Sequence, residues 1–281
     1  MKVSSKYILR EGATVFKVTD LCISYENQAD VLHHLSLDFS DYRAIGVLGA
    51  NGSGKSTLFA AIVGLLRPSQ GEIIYDNQPL NDKKAALYKY RQEVGIVFQE
   101  PEHQIFYSIV EDDVAFALKN LGIEPTQIKA RMDEVFALLK IEHLKKKPVQ
   151  YLSYGQKKKV AIASVLMLKT KWLLLDEPTA GLDPAGRQQM IEIISRLIQQ
   201  GTKIILSSHD MDLMYEICEY LYVLDKGIII KEGEAAQVFL DDKVLEAAGL
   251  EQPWLVKIHQ QLGFPLVKNQ QELMQVKMRA R

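Results

Sequence analysis

The 281-residue chain is predicted to be an α/β protein with a parallel-sheet core, and four stretches carry that prediction. Tyr42-Arg43-Ala44-Ile45-Gly46-Val47-Leu48 is short, apolar and partly β-branched, the pattern of a buried strand. From Lys55 the apolar positions fall at Leu58, Ile62, Leu65 and Leu66, a helical spacing. Trp172-Leu173-Leu174-Leu175 is too short for a helix and right for a central parallel strand. Lys203 to Ser208 reads as another strand, with His209 at its end.

Between the first strand and its helix lies Gly49-Ala50-Asn51-Gly52-Ser53-Gly54-Lys55-Ser56-Thr57. Three glycines let the backbone wrap closely, N–H groups inward, around phosphate oxygens. The helix N-terminus adds positive potential there. In this pattern Lys55 reaches the β- and γ-phosphates, Ser56 holds Mg²⁺ and Thr57 supports the α-phosphate. About 120 residues further on, the Trp172 strand ends in Asp176-Glu177-Pro178. Asp176 emerges at the carboxyl end of a strand, where open sheets bind ligands, and suits Mg²⁺ directly or through water. Glu177 is placed to act as general base on an attacking water. Together these residues predict a site that binds ATP with Mg²⁺ and hydrolyses it.

Other segments narrow the class. Leu152-Ser153-Tyr154-Gly155-Gln156 opens a helical pattern from Gln156 to Lys169, and Ser153 is a good N-cap. Ala180-Gly181-Leu182-Asp183 follows the carboxylates, and Gly95-Ile96-Val97-Phe98 is a strand ending in Gln99. In content and order these motifs resemble the ATP-binding-cassette (ABC) nucleotide-binding subunits, over roughly residues 15 to 235. The resemblance implies a P-loop NTPase cassette: a parallel-sheet core, an antiparallel β subdomain and a helical insertion. It implies that Tyr25 stacks on adenine and that Gln99 senses Mg²⁺ and the attacking water. On the same resemblance, Ser153 and Gly155, with Gln156 beside them, would form the signature that clasps the γ-phosphate. By the same resemblance Asp183 would cross between subunits and His209 would be the switch histidine. In that family the signature faces the phosphate loop of a second subunit, which implies a shared active site here. Tyr154 departs from the usual glycine of the signature; its side chain is expected to point away from nucleotide.

Phe98-Gln99-Glu100-Pro101-Glu102-His103-Gln104-Ile105-Phe106 and Asp112-Asp113-Val114-Ala115-Phe116-Ala117 resemble energy-coupling-factor importers, nearest to the cobalt-importing subgroup. Gln156 to Ala163 and the tail Gly249 to Lys257 fit that subgroup. This implies a dimer on the cytoplasmic face of the cell membrane; because one chain carries every catalytic element, a homodimer is the simplest arrangement, and a pair with a second, unlike ATPase stays open. The dimer would be docked peripherally beneath a transmembrane coupling subunit that contacts a membrane substrate-binding subunit. Ile105 and Phe106, apolar on an expected exposed loop, suggest the docking surface. No residue specifies cobalt; nickel or a vitamin stays open as cargo.

Composition fits this frame. Net charge is −1, from 34 basic and 35 acidic residues, which argues against nucleic acid as a partner. No apolar run approaches a membrane span, and the N-terminus, with Lys2, Lys6 and Arg10, has no apolar signal core. Cys22 and Cys218 read as free, reduced and partly buried. A soluble ribosome- or DNA-acting ABC ATPase would carry two cassettes or a long coiled coil; a weak regulatory subunit would lack Lys55, Glu177 or His209. The cassette is expected over 14–236, with the helical insertion at about 101–165, and a helical tail over 237–281. In that tail Trp254, Leu255 and Ile258 form an apolar face expected to aid dimerisation.

Overall fold

The computed structural model describes residues 15–25 and 30–276. The expected cassette boundary at residue 14 and the N-terminal charge pattern lie outside them. Two sheets form the frame. One joins β1 (Phe16–Ser24), β2 (Asp30–Asp38), β4 (Gln70–Tyr75) and β5 (Gln78–Pro79) in the order β2-β1-β4-β5, all antiparallel. The other holds β3 (Ala44–Leu48), β6 (Val94–Val97), β7 (Trp172–Asp176), β8 (Lys203–Ser207), β9 (Tyr220–Asp225) and β10 (Ile228–Glu234). Its order is β10-β9-β3-β8-β7-β6, parallel except for β10 on β9.

The period-two alternation of strands divides the core in two. Along β7, Trp172 and Leu174 face the antiparallel sheet, while Leu173 and Leu175 face the helices. Along β8, Ile205 goes one way and Ile204 and Leu206 the other. The strands are buried on both faces, which is why they read as unbroken apolar runs rather than alternating ones. Trp172, 1% exposed, meets Phe16 of the antiparallel sheet edge-on at 5.0 Å and joins the two layers.

The helices are α1 (Lys55–Ile62), α2 (Lys84–Glu93), α3 (Val110–Asn120), α4 (Pro125–Leu139), α5 (Tyr154–Leu166), α6 (Pro184–Gln199), α7 (Met211–Ile217), α8 (Ala235–Phe239), α9 (Asp242–Ala247), α10 (Trp254–Leu262) and α11 (Gln270–Gln275). Helix α3 packs on α4 and α5, and Val114, Met132, Phe136, Val160 and Ile162 give the insertion an apolar centre continuous with the main core. Pro184 starts α6 behind an Asp183 N-cap, since its missing N–H is one the first turn leaves unbonded. No described helix is long and apolar enough to cross a membrane.

Several expectations shift. Helix α1 stops at Ile62 and Gly64 turns left-handed at φ 70°, so Leu65 is half exposed rather than on a helical face. Helix α5 begins two residues before the expected Gln156, because a capping box closes on Ser153, and it ends at Leu166 instead of Lys169. Both cysteines are fully rather than partly buried, and burial pushes the Cys218 thiol up to about 12. Of the apolar tail face, Trp254 and Ile258 are half-buried and only Leu255 is withdrawn from the surface. Leu255 and Val256 are buried in the chain's own core, and the Trp254 N–H donates to Asp212 Oδ1 at 2.9 Å, so α10 seals its own subunit.

Candidate nucleotide site

Strand order assembles the site. β3 and β7 flank β8, with Val47 and Asp176 both in register with Ser207, so the glycine-rich loop, the carboxylates and His209 leave the sheet at adjoining carboxyl ends. Gln99 follows β6 on the far side of β7. A cleft of about 220 Å³ there is lined by Asn51, Gly52, Gly54, Lys55, Ser56, Thr57, Gln99, Asp176, Glu177 and His209, with Val31 at one wall. Gly54, the N-cap of α1, sits at φ 109°, and a Cβ there would lie 2.6 Å from Leu32 Cδ2, so this turn requires glycine.

The side chains are already organised. Lys55 Nζ donates to Gly49 O at 2.6 Å and Ala50 O at 3.1 Å, folded onto its own loop. Burial lowers its affinity for the proton, and the Glu177 and Asp176 carboxylates oppose that. Ser56 Oγ donates to Asp176 Oδ2 at 2.8 Å, while Ser207 Oγ donates to Asp176 Oδ1. Glu177 is 5% exposed with φ 48°, left-handed for a residue with a side chain. Its N–H donates to Ser207 O at 3.0 Å, and its Oε2 accepts from the His209 N–H at 3.1 Å. Its Oε1 is buried without a hydrogen bond, with His209 Nε2 at 3.2 Å but not aligned to donate. Ser53 Oγ is likewise buried and unpartnered.

These features fit a triphosphate with Mg²⁺. Buried acceptors with an unused oxygen are the state a base keeps before water arrives. Ser56, Gln99 and Asp176 form an all-oxygen donor set of the kind a hard divalent cation takes. Tyr25 sits at the rim, 40% exposed, its hydroxyl 3.2 Å from Thr57 Oγ1.

The remaining predicted residues lie elsewhere. Ser153 and Asp183 are exposed, and neither they nor Gly155 nor Gln156 line the cleft. Ser153 Oγ accepts from the Gln156 N–H at 3.3 Å and Gln156 Oε1 from the Ser153 N–H at 3.0 Å, a capping box that presents the α5 N-terminus to solvent. Asp183 Oδ1 accepts from Gly186 N at 2.6 Å, capping α6. Gly155 packs near the loop after β7, where a Cβ would meet Leu182 Cδ2 at 3.2 Å.

Sequence reasoning missed several residues. Arg187 pairs with Asp210, the residue after His209; burial works to raise the Asp210 carboxyl, but the Arg187 bond and the α7 amides hold it below its ordinary value. Gln104 spans from the Phe98 N–H, accepted at 3.3 Å, to Ala161 O on α5, donated to at 2.9 Å. Asp113 accepts from the N–H groups of Phe106 (2.8 Å) and Tyr107 (3.1 Å) and from Ser164 Oγ of α5 (3.0 Å). Lys157 pairs with Glu102 at 2.8 Å. Segment 98–107 is thus fastened to α5, while Phe106 itself is 78% exposed.

Lys158 stands in the run Lys157-Lys158-Lys159, a pattern that ordinarily marks a solvated face, yet it is 2% exposed and donates to Glu177 O at 2.5 Å. Burial brings its ammonium down from 10.5 to about 8, against the pull of Glu100, Glu177 and Asp176. Between these values the unfolded chain binds the extra proton, so this group's contribution to stability rises with pH. Relative to Lys158→Met, the native chain is expected to gain roughly 3 kcal/mol across that window, read from urea titrations at a series of pH values. A flat difference would place the ammonium in water.

Comparison with known proteins agrees with this geometry. The sequence model of the ABC transporter family matches residues 32–180. The cobalt import ATP-binding protein CbiO of Salmonella typhimurium (strain LT2) is 51% identical over 90% of this chain and 93% of its own. The energy-coupling factor transporter ATP-binding protein EcfA2 of Clostridium perfringens (strain SM101) is 38% identical over 85% and 84%. Among solved structures, cbiO1 of Clostridium perfringens, part of the ABC transporter complex cbiONQ, superposes with a TM-score of 0.76 at 36% identity, covering 88% of this chain and 99% of that one. A chain with this sheet order, this loop and these carboxylates, matched so fully, belongs to the ABC transporter family as its ATP-binding, ATP-hydrolysing cassette.

Proposed function

We propose that two copies of this chain close around ATP and that hydrolysis drives an energy-coupling-factor importer whose cargo is cobalt. The observation that carries the paired arrangement is the split of the site. Lys55, Asp176 and Glu177 share one cleft, whereas Ser153, Gly155 and Asp183 lie outside it. A second copy, placed face to face, would bring its α5 N-terminus to the open side of the nucleotide, and helix N-termini suit phosphate.

In the closed pair Lys55 exchanges its loop carbonyls for β- and γ-phosphate oxygens. Bound Mg²⁺ supplies neutralisation of the charge that develops on those oxygens. Glu177 takes a proton from water as the water oxygen bonds the γ-phosphorus and the bond to the bridging β–γ oxygen breaks, leaving ADP and phosphate. His209 orients Glu177 and approaches the γ-phosphate. Each nucleotide adds contacts present only in the closed state, so its loss opens the pair.

Cobalt as cargo, and a peripheral place beneath a transmembrane coupling subunit, are supported by the named relatives. The test is co-purification with membrane partners, reconstitution in vesicles with ATP on the side bearing this subunit, and uptake of radiolabelled cobalt. ATP-dependent cobalt accumulation is expected, and none with Glu177→Gln. Accumulation of nickel but not cobalt would overturn the metal, and failure of the chain to pair under ATP would overturn the dimer.

A further inference from the structure

Tyr154 turns back into its own subunit. Its ring lies against Gly181, where a Cβ would come within 2.8 Å of Tyr154 Cε1. Its hydroxyl donates to Gln99 O at 3.2 Å and lies 3.4 Å from Glu100 Oε2. One turn along α5, on the same face, is Lys158, with its Nζ 5.3 Å from the centre of the Tyr154 ring and bonded to Glu177 O. Two neighbouring side chains of one helix therefore hold the backbones of Gln99, two residues past β6, and Glu177, the first residue past β7. The Glu177 peptide needs such holding. Its left-handed φ is unfavourable for a residue with a Cβ, and it is fixed on its N–H side by Ser207 and on its carbonyl side by an ammonium, a charge-assisted bond in a buried place.

We infer that Tyr154 and Lys158 are positioning residues that form a strut between the start of α5 and the Glu177 peptide of the same chain, and so couple the two nucleotide sites of a pair. The inference rests on the paired ATPase proposed above. Ser153, next to Tyr154, faces the partner's nucleotide in that arrangement, whereas Glu177 faces its own. Seating of Ser153 against one γ-phosphate then sets the angle of the base at the other site. Neither Tyr154 nor Lys158 touches reacting atoms: Lys158 bears on the Glu177 peptide directly, and Tyr154 bears on it through the Lys158 ammonium over its ring while tying the Gln99 peptide, so both act on the placement of cleft residues and not by contact with ATP.

The experiment measures turnover against ATP concentration for native, Lys158→Met, Tyr154→Phe and the double variant, beside nucleotide-driven pairing of each in a Glu177→Gln background by sedimentation. Native turnover is expected to rise with a Hill slope above one. Lys158→Met is expected to lower kcat about tenfold or more with KM within about twofold, to bring the slope to one, and to leave pairing intact. Tyr154→Phe keeps the ring and the fold but loses the hydroxyl, and is expected to lower kcat about threefold. The two losses are expected to be non-additive, because both act through one strut. A native Hill slope of one, an unchanged kcat in both single variants, or losses confined to KM would overturn the strut while leaving the ATPase reading in place. Absence of turnover and pairing in the native chain would overturn that reading and the strut with it.

Discussion

Glu177→Gln is expected to lower ATP turnover by about 10²- to 10⁴-fold while ATP still binds and the paired form accumulates. Gln keeps the shape and can still accept the His209 N–H that Oε2 accepts now. The carbonyl tie to Lys158 and the amide tie to Ser207 belong to the backbone and survive the change. What is lost is a carboxylate oxygen, buried and unbonded, able to take a proton. Single-turnover hydrolysis of radiolabelled ATP reads the chemical step, and a fluorescent nucleotide reads binding. Turnover within threefold of native would remove Glu177 from the role of base.

Trp172→Ala is expected to cost about 3–5 kcal/mol of stability, the range for truncating a large aromatic in a close-packed core. Trp172 is one of the largest fully buried side chains and packs edge-on against Phe16 of the antiparallel sheet. Lys203 Nζ stands over its ring, 4.7 Å from the centre. The substitution therefore opens a void where the two sheets meet and removes an aromatic pair at once. Urea unfolding measures the loss; a change below about 1 kcal/mol would mean that the layers are joined elsewhere. Trp172→Phe is expected to recover part of the loss, since ring packing persists.

The core strands were legible because each is buried on both faces and so appears as an unbroken apolar run ending in polar chemistry. Leu48 before the glycine loop, Leu175 before Asp176 and Leu206 before Ser207 all mark a carboxyl end of the sheet. The cleft residues followed from those ends, and the structure brings Lys55, Ser56, Gln99, Asp176, Glu177 and His209 to one place. Helix α2 escaped the sequence reading. Its residues, Lys84 to Glu93, are exposed or half-buried and only Tyr90 is buried, so there was no apolar stripe to find. Lys158 escaped for the opposite reason. It stands in a run of three lysines, and a charge run ordinarily marks a solvated face. Only the fold reveals that Lys157 reaches Glu102, Lys159 reaches Gln189 and Lys158 turns inward to a peptide carbonyl. Tyr154 was expected to point away from nucleotide, and its ring does pack on Gly181 of its own chain. Its hydroxyl contact with Gln99 depends on a loop 55 residues away, beyond what local pattern can foresee.

Segment 98–107 is fastened to α5 through Gln104, Asp113 and Lys157, with Phe106 projecting at its tip. So many fixings leave the loop no slack in which to absorb a push. A force applied at Phe106 would therefore be passed to α5 as rotation of a stiff crank, and the Ser153 end of that helix would swing with it. The length of the throw is then set by how far α5 can tilt over the parallel sheet, and not by any refolding of the loop.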